Sequence, residues 1–171
     1  MTTLFGEVLV SVIRDAEISG CGRYRWSLSR IWGEAAPVGF IMLNPSIADA
    51  SIDDQTIRKC VAFARSWGHD GIVVRNLFNL RATDPRELYK HEDPVGDRAK
   101  ADAMITSLFD VCPLVVAAWG AHGLHRDRAE QVCRLVQVLG KKLHCLKLTK
   151  GGQPQHPLYL KGDSQPFPFV A

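Results

Sequence analysis

The sequence contains no run of about 18 consecutive apolar residues, the length that a membrane-spanning helix requires. Its first residues lack the basic start and the small-residue cleavage site of a secretory signal. The chain also lacks internal repeats, low-complexity tracts and linker-like changes of composition. With 171 residues and a hydrophobic fraction of 46%, these absences predict one cytoplasmic domain, residues 1–171, that has no membrane partner.

Cysteine pairs and a strong net charge are missing as well. The five cysteines are widely spaced, and none forms a C-x-x-C motif, so we expect neither a disulfide framework nor a zinc site. His122 and His125 are three residues apart without a third ligand, a spacing more typical of a helix start than of a metal site. We therefore expect no obligatory metal and no cofactor. A net charge of +3 permits a nucleic-acid partner without requiring one.

The hydrophobic pattern predicts an α/β fold. Two predicted strands rich in β-branched and aromatic residues, 7–13 and 23–32, lie on either side of the turn sequence SGCG and predict an N-terminal β-hairpin at about 7–32. In the core, about 36–165, uniformly apolar runs predict four strands buried on both faces: 38–43, 71–78, 113–119 and 142–148. Segments with helical spacing separate them: 51–68, with Ser51 as its N-cap, 95–111 and 123–140.

Alternating strands and helices predict a three-layer domain with a parallel sheet. We expect its four strands in the order 2-1-3-4, with the hairpin either extending the sheet or covering a crevice at its edge. Ligands bind such sheets beyond the carboxyl ends of the strands, at the point where the strand order reverses. The predicted site is therefore this edge.

Unusual residues lie in or after each of the predicted core strands. Asn44 comes directly after the first strand, Asn76 lies in the second, Trp119 and Gly120 end the third, and His156 follows a glycine pair after the fourth. An amide offers a donor and an acceptor, which suits recognition of a base edge, and an imidazole can donate to a developing oxyanion. We predict that these side chains line one pocket.

Structural interpretations stay open for several of these residues. The segment 44–46 is also compatible with an Asx turn that ends the strand, and Asn79 with a buried amide bonded to loop backbone. Asp53 and Asp54 fit first-turn charge at a helix start, although acids beside a site could also bind a cation. Arg75 and Arg81 flank the end of the second strand and fit either phosphate binding or a solvated surface.

Over nearly its whole length the sequence resembles a bacterial and phage family known as domain of unknown function 1643. The segments that carry this resemblance are RYRWSLSRIWG, FIMLNPSIADA, VVRNLFNLRATDP, DPVGDRAKAD, AAWGAHG and KGGQPQHPLYL. More distantly, MLNPS, VVRNLFNLR, VVAAWGAHG and HPLYL resemble, in this order, the motifs of the uracil-DNA glycosylase superfamily. HPLYL lacks the serines and the second proline of the usual motif.

The second resemblance implies a uracil-DNA-glycosylase-like fold and a set of roles. Asn44 and His156 would be catalytic, Asn76 would bind the base, and the substrate would also contact Pro45, Ser46, Trp119 and Gly120. Arg75 and Arg81 are further candidates for substrate binding because of their position at the end of the second strand. The implied protein recognises a nucleobase in single-stranded or duplex DNA; hydrolysis of the N-glycosidic bond of a damaged or modified base stays open. Two alternatives are an enzyme that acts on free nucleotides or nucleosides and a non-catalytic nucleic-acid or nucleotide-binding module.

Overall fold

The computed structural model describes residues 11–170, and seven strands in this range form one sheet. The strands are β1 (Ile13–Ile18), β2 (Arg25–Ile31), β3 (Val38–Met42), β4 (Gly71–Asn76), β5 (Leu114–Ala117), β6 (Leu143–Cys145) and β7 (Phe167–Phe169). The helices are α1 (Gln55–Ser66), α2 (Glu87–Lys90), α3 (Arg98–Thr106), α4 (Leu108–Val111) and α5 (Arg128–Val138), with 3-10 turns at Ala121–Asp127 and Pro157–Tyr159. None of these helices is long and apolar enough to cross a membrane.

The sheet is mixed, and its strand order is β1-β2-β4-β3-β5-β6-β7. β3 pairs in parallel with β4 and β5, and β5 with β6, whereas the β1–β2, β2–β4 and β6–β7 pairs are antiparallel. The prediction of a four-stranded parallel, uracil-DNA-glycosylase-like sheet is therefore wrong. β7 could not be predicted, because a three-residue Phe-Pro-Phe segment has neither the length nor the alternation of a strand.

The hairpin extends the sheet. β1 pairs with β2 along Ile13–Ile18, and β2 continues onto β4 with Leu28 opposite Val74. The predicted first strand, 7–13, overlaps β1 only at Ile13, and residues 7–10 lie outside the described part of the chain. Leu28 is fully buried, so β2 joins the core of the sheet instead of covering the crevice.

Helices cover both faces of the sheet. On one face, α1 packs its apolar side against the strands through Ile57, Cys60 and Phe63. On the other face, α3, α4 and α5 contribute Ile105, Leu108 and Val132 to a second cluster. Alternate residues of each central strand face opposite clusters, which explains why the sequences of these strands are uniformly apolar.

All three predicted helices start later than predicted, and the segment 95–111 forms two helices, α3 and α4, instead of one. Asp54, not Ser51, caps α1, because its carboxylate accepts a hydrogen bond from the Ile57 N–H at 2.9 Å. The segment predicted as one helix at 123–140 is interrupted by Arg126 and Asp127, whose φ angles are 53° and 54°. Two consecutive left-handed residues cannot continue a right-handed helix, so α5 begins only after them.

Candidate functional site

A cleft of about 910 Å³ lies beyond the carboxyl ends of β3, β4, β5 and β6. This volume falls within the usual range for small-molecule sites. Six residues of the predicted site line it: Asn44, Ser46, Asn76, Trp119, Gly120 and His156. Residues more than 100 positions apart in sequence therefore meet in this cleft, because parallel strands bring their carboxyl ends to the same edge of the sheet.

Asn76 is the buried polar group of the cleft wall. It is the last residue of β4, its exposed fraction is 2%, and neither its Nδ2 nor its Oδ1 has a hydrogen-bond partner among residues 11–170. A buried amide without partners costs about 1–3 kcal/mol per unpaired group. Among the residues that the structure describes, the donor and the acceptor of Asn76 are both unpaired, and both atoms are buried in the wall of the cleft.

Asn44 is held by the backbone around it. Its Nδ2 donates to the carbonyl oxygens of Pro45 and Ala82, at 2.9 and 2.7 Å. Because both partners are acceptors, the amide nitrogen must face them, and Oδ1 remains as the hydrogen-bond acceptor of this side chain. Pro45 itself is buried outside the cleft lining, and its carbonyl also accepts from the Ala82 N–H at 2.9 Å.

His156 precedes a 3-10 turn whose first residue is Pro157. Its Nδ1 accepts a hydrogen bond from the Leu158 N–H at 3.3 Å, which places the proton of the neutral ring on Nε2. Burial lowers the pKa of His156 below its ordinary value, and the nearby charge of Asp54 opposes this shift without cancelling it. His156 is therefore a neutral hydrogen-bond donor at neutral pH.

Asp54 is a carboxylate in the cleft that the sequence analysis assigned to helix-start charge. Its Oδ1 caps α1, and its charge acts on both His156 and Arg25. The adjacent Asp53 does something different: it forms an ion pair with Arg30, whose exposed fraction is 1%, at 2.8 Å. The cap signal of Asp54 is visible in the sequence, but its position in the cleft depends on where α1 starts relative to β3.

Arg25 is the second cleft residue that the sequence analysis missed. Its exposed fraction is 3%, its Nη1 donates to the Ala48 carbonyl at 2.6 Å, and its Nε has no partner among the described residues. Burial lowers the pKa of Arg25 to about 10, and the negative charge of Asp54 opposes this shift. In the sequence, Arg25 lies near the start of an alternating strand, a position that is equally compatible with a solvent-exposed side chain.

Trp119 and Gly120 form a rigid wall. Trp119 is buried, and its Nε1 donates to Gln153 Oε1 at 3.0 Å, while its ring meets Phe169 edge to face at a centroid distance of 5.9 Å. Gly120 has a φ of 71°, which favours glycine, and its N–H donates to the Pro154 carbonyl at 2.7 Å. This turn thus joins the end of β5 to the loop that carries His156.

Three predicted polar residues lie elsewhere. Arg75 points to the α3 side of the sheet, where its Nε donates to the Met104 carbonyl at 3.0 Å. Asn79 is buried, and its Nδ2 donates to the Val95 carbonyl at 3.1 Å, outside the cleft. Arg81 lies in a neighbouring hollow.

The histidine pair 122–125 belongs to an aromatic cluster. Tyr89 Oη lies 3.0 Å from His122 Nδ1, and the Tyr89 and His125 rings are 4.1 Å apart at their centroids. Within residues 11–170, no three His, Cys, Asp or Glu side chains are grouped so that they could hold a metal ion.

The rim of the cleft is apolar and basic. Ile47, Leu148 and Tyr159 line it with exposed fractions of 58%, 42% and 75%. Lys147 and Lys150, also exposed, lie on the side of the cleft that follows β6. A mouth of this composition suits a ligand with flat apolar faces and negative charge.

Comparison with known proteins gives one match. No curated protein and no solved structure matches the chain, so nothing in these comparisons supports the resemblance to the uracil-DNA glycosylase superfamily. A family model described as "Protein of unknown function (DUF1643)" matches residues 25–158, from the start of β2 to the turn after His156. Since this match covers most of the sequence, the chain belongs to the DUF1643 family.

Proposed function

We propose that this protein recognises a nucleobase in its cleft and hydrolyses the N-glycosidic bond of a damaged or modified base. The observation that carries the proposal is the buried amide of Asn76, whose donor and acceptor both lack partners in the part of the chain that the structure describes. The polar edge of a base presents a matching donor and acceptor pair. A ligand without such an edge would leave the amide unpaired, which is a strong basis for selectivity.

The other polar groups of the cleft fit the hydrolysis. A water oxygen attacks the anomeric carbon as the bond to the base nitrogen breaks, and the electron pair leaves with the base. Asp54 accepts a proton from the water, and Asn44 Oδ1 accepts a hydrogen bond from its other hydrogen. The Nε2–H of His156 stabilises the negative charge on the base, which then takes a proton from solvent.

The order of motifs along the chain gives further support. MLNPS, VVRNLFNLR, VVAAWGAHG and HPLYL follow one another as the corresponding motifs do in the uracil-DNA glycosylase superfamily. Asp54 has no counterpart among those motif assignments. The proposal therefore depends on the chemistry of the side chains more than on the resemblance.

A single-turnover cleavage screen over oligonucleotides that each carry one modified base tests whether the protein hydrolyses the N-glycosidic bond. We expect the wild-type protein to cleave at least one of them. Asp54→Asn and His156→Asn should each lower the cleavage rate about a hundredfold or more, because they remove a proton acceptor and a ring N–H donor. Each asparagine keeps an acceptor for the helix N–H that the native residue caps, at Ile57 and Leu158.

Asp97→Asn is the matched control for this screen. Asp97 caps α3 by accepting from the Lys100 N–H at 3.0 Å and does not line the cleft, so the substitution should leave the rate unchanged. Wild-type rates in Asp54→Asn would contradict the hydrolytic mechanism. If the protein binds a modified base through Asn76 but never cleaves it, the protein is a binding module. If it cleaves only free nucleosides, it is an enzyme of nucleotide metabolism.

A further inference from the structure

A second hollow of about 480 Å³ adjoins the cleft. Ala82 lines both: its carbonyl accepts the hydrogen bond from Asn44 Nδ2, and its neighbour Arg81 lines only the second hollow. The backbone of Arg81 is fixed there, because its N–H donates to the Arg23 carbonyl at 2.8 Å. The hollow therefore has a defined position next to the candidate water-binding residue.

The lining of the second hollow is basic. It contains the three cations Arg23, Arg81 and Lys90 and one carboxylate, Glu87, which lies 3.0 Å from Lys90 Nζ. Arg81 Nη1 donates to the Gly22 carbonyl at 3.1 Å, which holds the guanidinium in place. A guanidinium beside two further cations suits a phosphate group, which accepts several hydrogen bonds at once.

The sheet order places this hollow at one end of the cleft and a second basic region at the other. Arg81 follows β4, and Lys147 and Lys150 follow β6, with β3 and β5 between them. Asn76 ends β4, His156 lies in the loop that follows β6, and both line the cleft. A free nucleotide uses one of these basic regions, whereas a strand that crosses the cleft uses both.

We propose that the second hollow binds a backbone phosphate of a single polynucleotide strand whose neighbouring base occupies the cleft. The proposal rests on the proposed function for the base, and it names the substrate as a polymer. The exposed Tyr159, Leu148 and Ile47 on the rim support it, because apolar and aromatic side chains beside cations stack on the bases of single strands.

The test measures binding of a fluorescein-labelled single-stranded DNA of mixed sequence, about 15 nucleotides long, by anisotropy at several salt concentrations. Lys90→Gln and Arg81→Gln should each weaken binding severalfold and flatten the slope of log K against log salt by about 0.7, because each removes one phosphate contact. Lys90 is 71% exposed, so its substitution tests the surface without disturbing the core.

Arg134→Gln is the matched control. Arg134 is 73% exposed, forms an intrahelical pair with Glu130 as Lys90 does with Glu87, and lines neither the cleft nor the hollow. It should bind the DNA as the wild type does. Equal salt slopes for all variants would overturn the proposal. Displacement of the DNA by inorganic phosphate far beyond the effect of sodium chloride at equal ionic strength would also overturn it, in favour of a free-phosphate site.

The two proposals fail in different ways. Asn76→Leu should leave the salt slope unchanged, since it removes no phosphate contact, but it should abolish cleavage in the modified-base screen. If Lys90→Gln flattens the salt slope but no modified base is cleaved, the second hollow binds a strand and the proposed hydrolysis is refuted. If cleavage depends on Asn76 but Lys90→Gln leaves the salt slope unaltered, the hydrolysis is supported and the proposed phosphate site is refuted.

Discussion

At the residue scale, the cleft differs from an ordinary buried interior in how its polar groups are paired. Asn44 has both amide hydrogens bound to carbonyls, and Asn79 donates to a loop carbonyl, but Asn76 has no side-chain partner within residues 11–170. Buried polar groups are nearly always satisfied, so an unpaired amide in the wall of a cleft requires an explanation. The energetic cost of the unpaired amide should be measurable in the absence of a ligand.

Asn76→Leu should raise the free energy of unfolding by about 1 kcal/mol, because leucine has a similar volume and removes the cost of an unpaired buried amide. Asn79→Leu is the matched control, since Asn79 has the same exposed fraction of 2% but a hydrogen bond at 3.1 Å to Val95. Its substitution should lower the free energy of unfolding by about 1 kcal/mol or more. Urea denaturation of both variants measures these changes. Destabilisation of equal size at both positions would show that Asn76 is satisfied in solution.

Sequence patterns could predict the polar residues that interrupt apolar strands, but not those whose place depends on the turn of a helix. Asn76 stands out because it interrupts an apolar run, and Asn44 and His156 because they follow one. Asp53 and Asp54 look alike in sequence, yet one pairs with a buried arginine and the other lines the cleft. The distinction depends on how the loop before α1 folds back over β2, which no local pattern encodes.

At the element scale, this loop is held by two arginines of β2. Arg25 donates to the Ala48 carbonyl, and Arg30 donates to the carbonyls of Asp49 and Ile52 as well as to the Asp53 carboxylate. The start of α1 is therefore fixed to the sheet, and with it the carboxylate of Asp54. The side chains of β2 thus set the geometry of a site that lies beyond other strands.

Arg30→Met should lower the free energy of unfolding by about 3 kcal/mol, because it leaves the Asp53 carboxylate and two loop carbonyls without their buried donor. Arg14→Met is the control: Arg14 contacts the other oxygen of Asp53 at 2.9 Å, but it is 40% exposed, and its loss should cost about 1 kcal/mol or less. Thermal and urea denaturation provide the comparison. Similar losses for both variants would mean that the loop does not depend on the buried arginine.

At the scale of the whole molecule, antiparallel strands extend both edges of the parallel centre. The hairpin strand β2 covers the edge at β4, and β7 covers the edge at β6. Uniformly apolar sequences predicted the central strands, because they are buried on both faces. The edges could not be predicted in the same way: pairing there is decided by which segment reaches an open edge, and a short Phe-Pro-Phe segment carries little local signal.

The last strand should be necessary for the stability of the site as well as of the sheet. Phe169 is partly buried, packs against one hydrophobic cluster and meets the ring of Trp119 at a centroid distance of 5.9 Å. Phe169→Ala should therefore lower the free energy of unfolding by about 2 kcal/mol, less than the loss at a fully buried phenylalanine. Phe167→Ala, in the same strand but 40% exposed, should lower the free energy of unfolding by about 0.5 kcal/mol.

Residues 1–171 are predicted to form one domain. For the wild type and for each variant, tryptophan fluorescence and circular dichroism should therefore show a single transition and agree on its midpoint. Separate midpoints, or equal losses at the two phenylalanines, would show that β7 folds independently of the sheet edge next to the cleft.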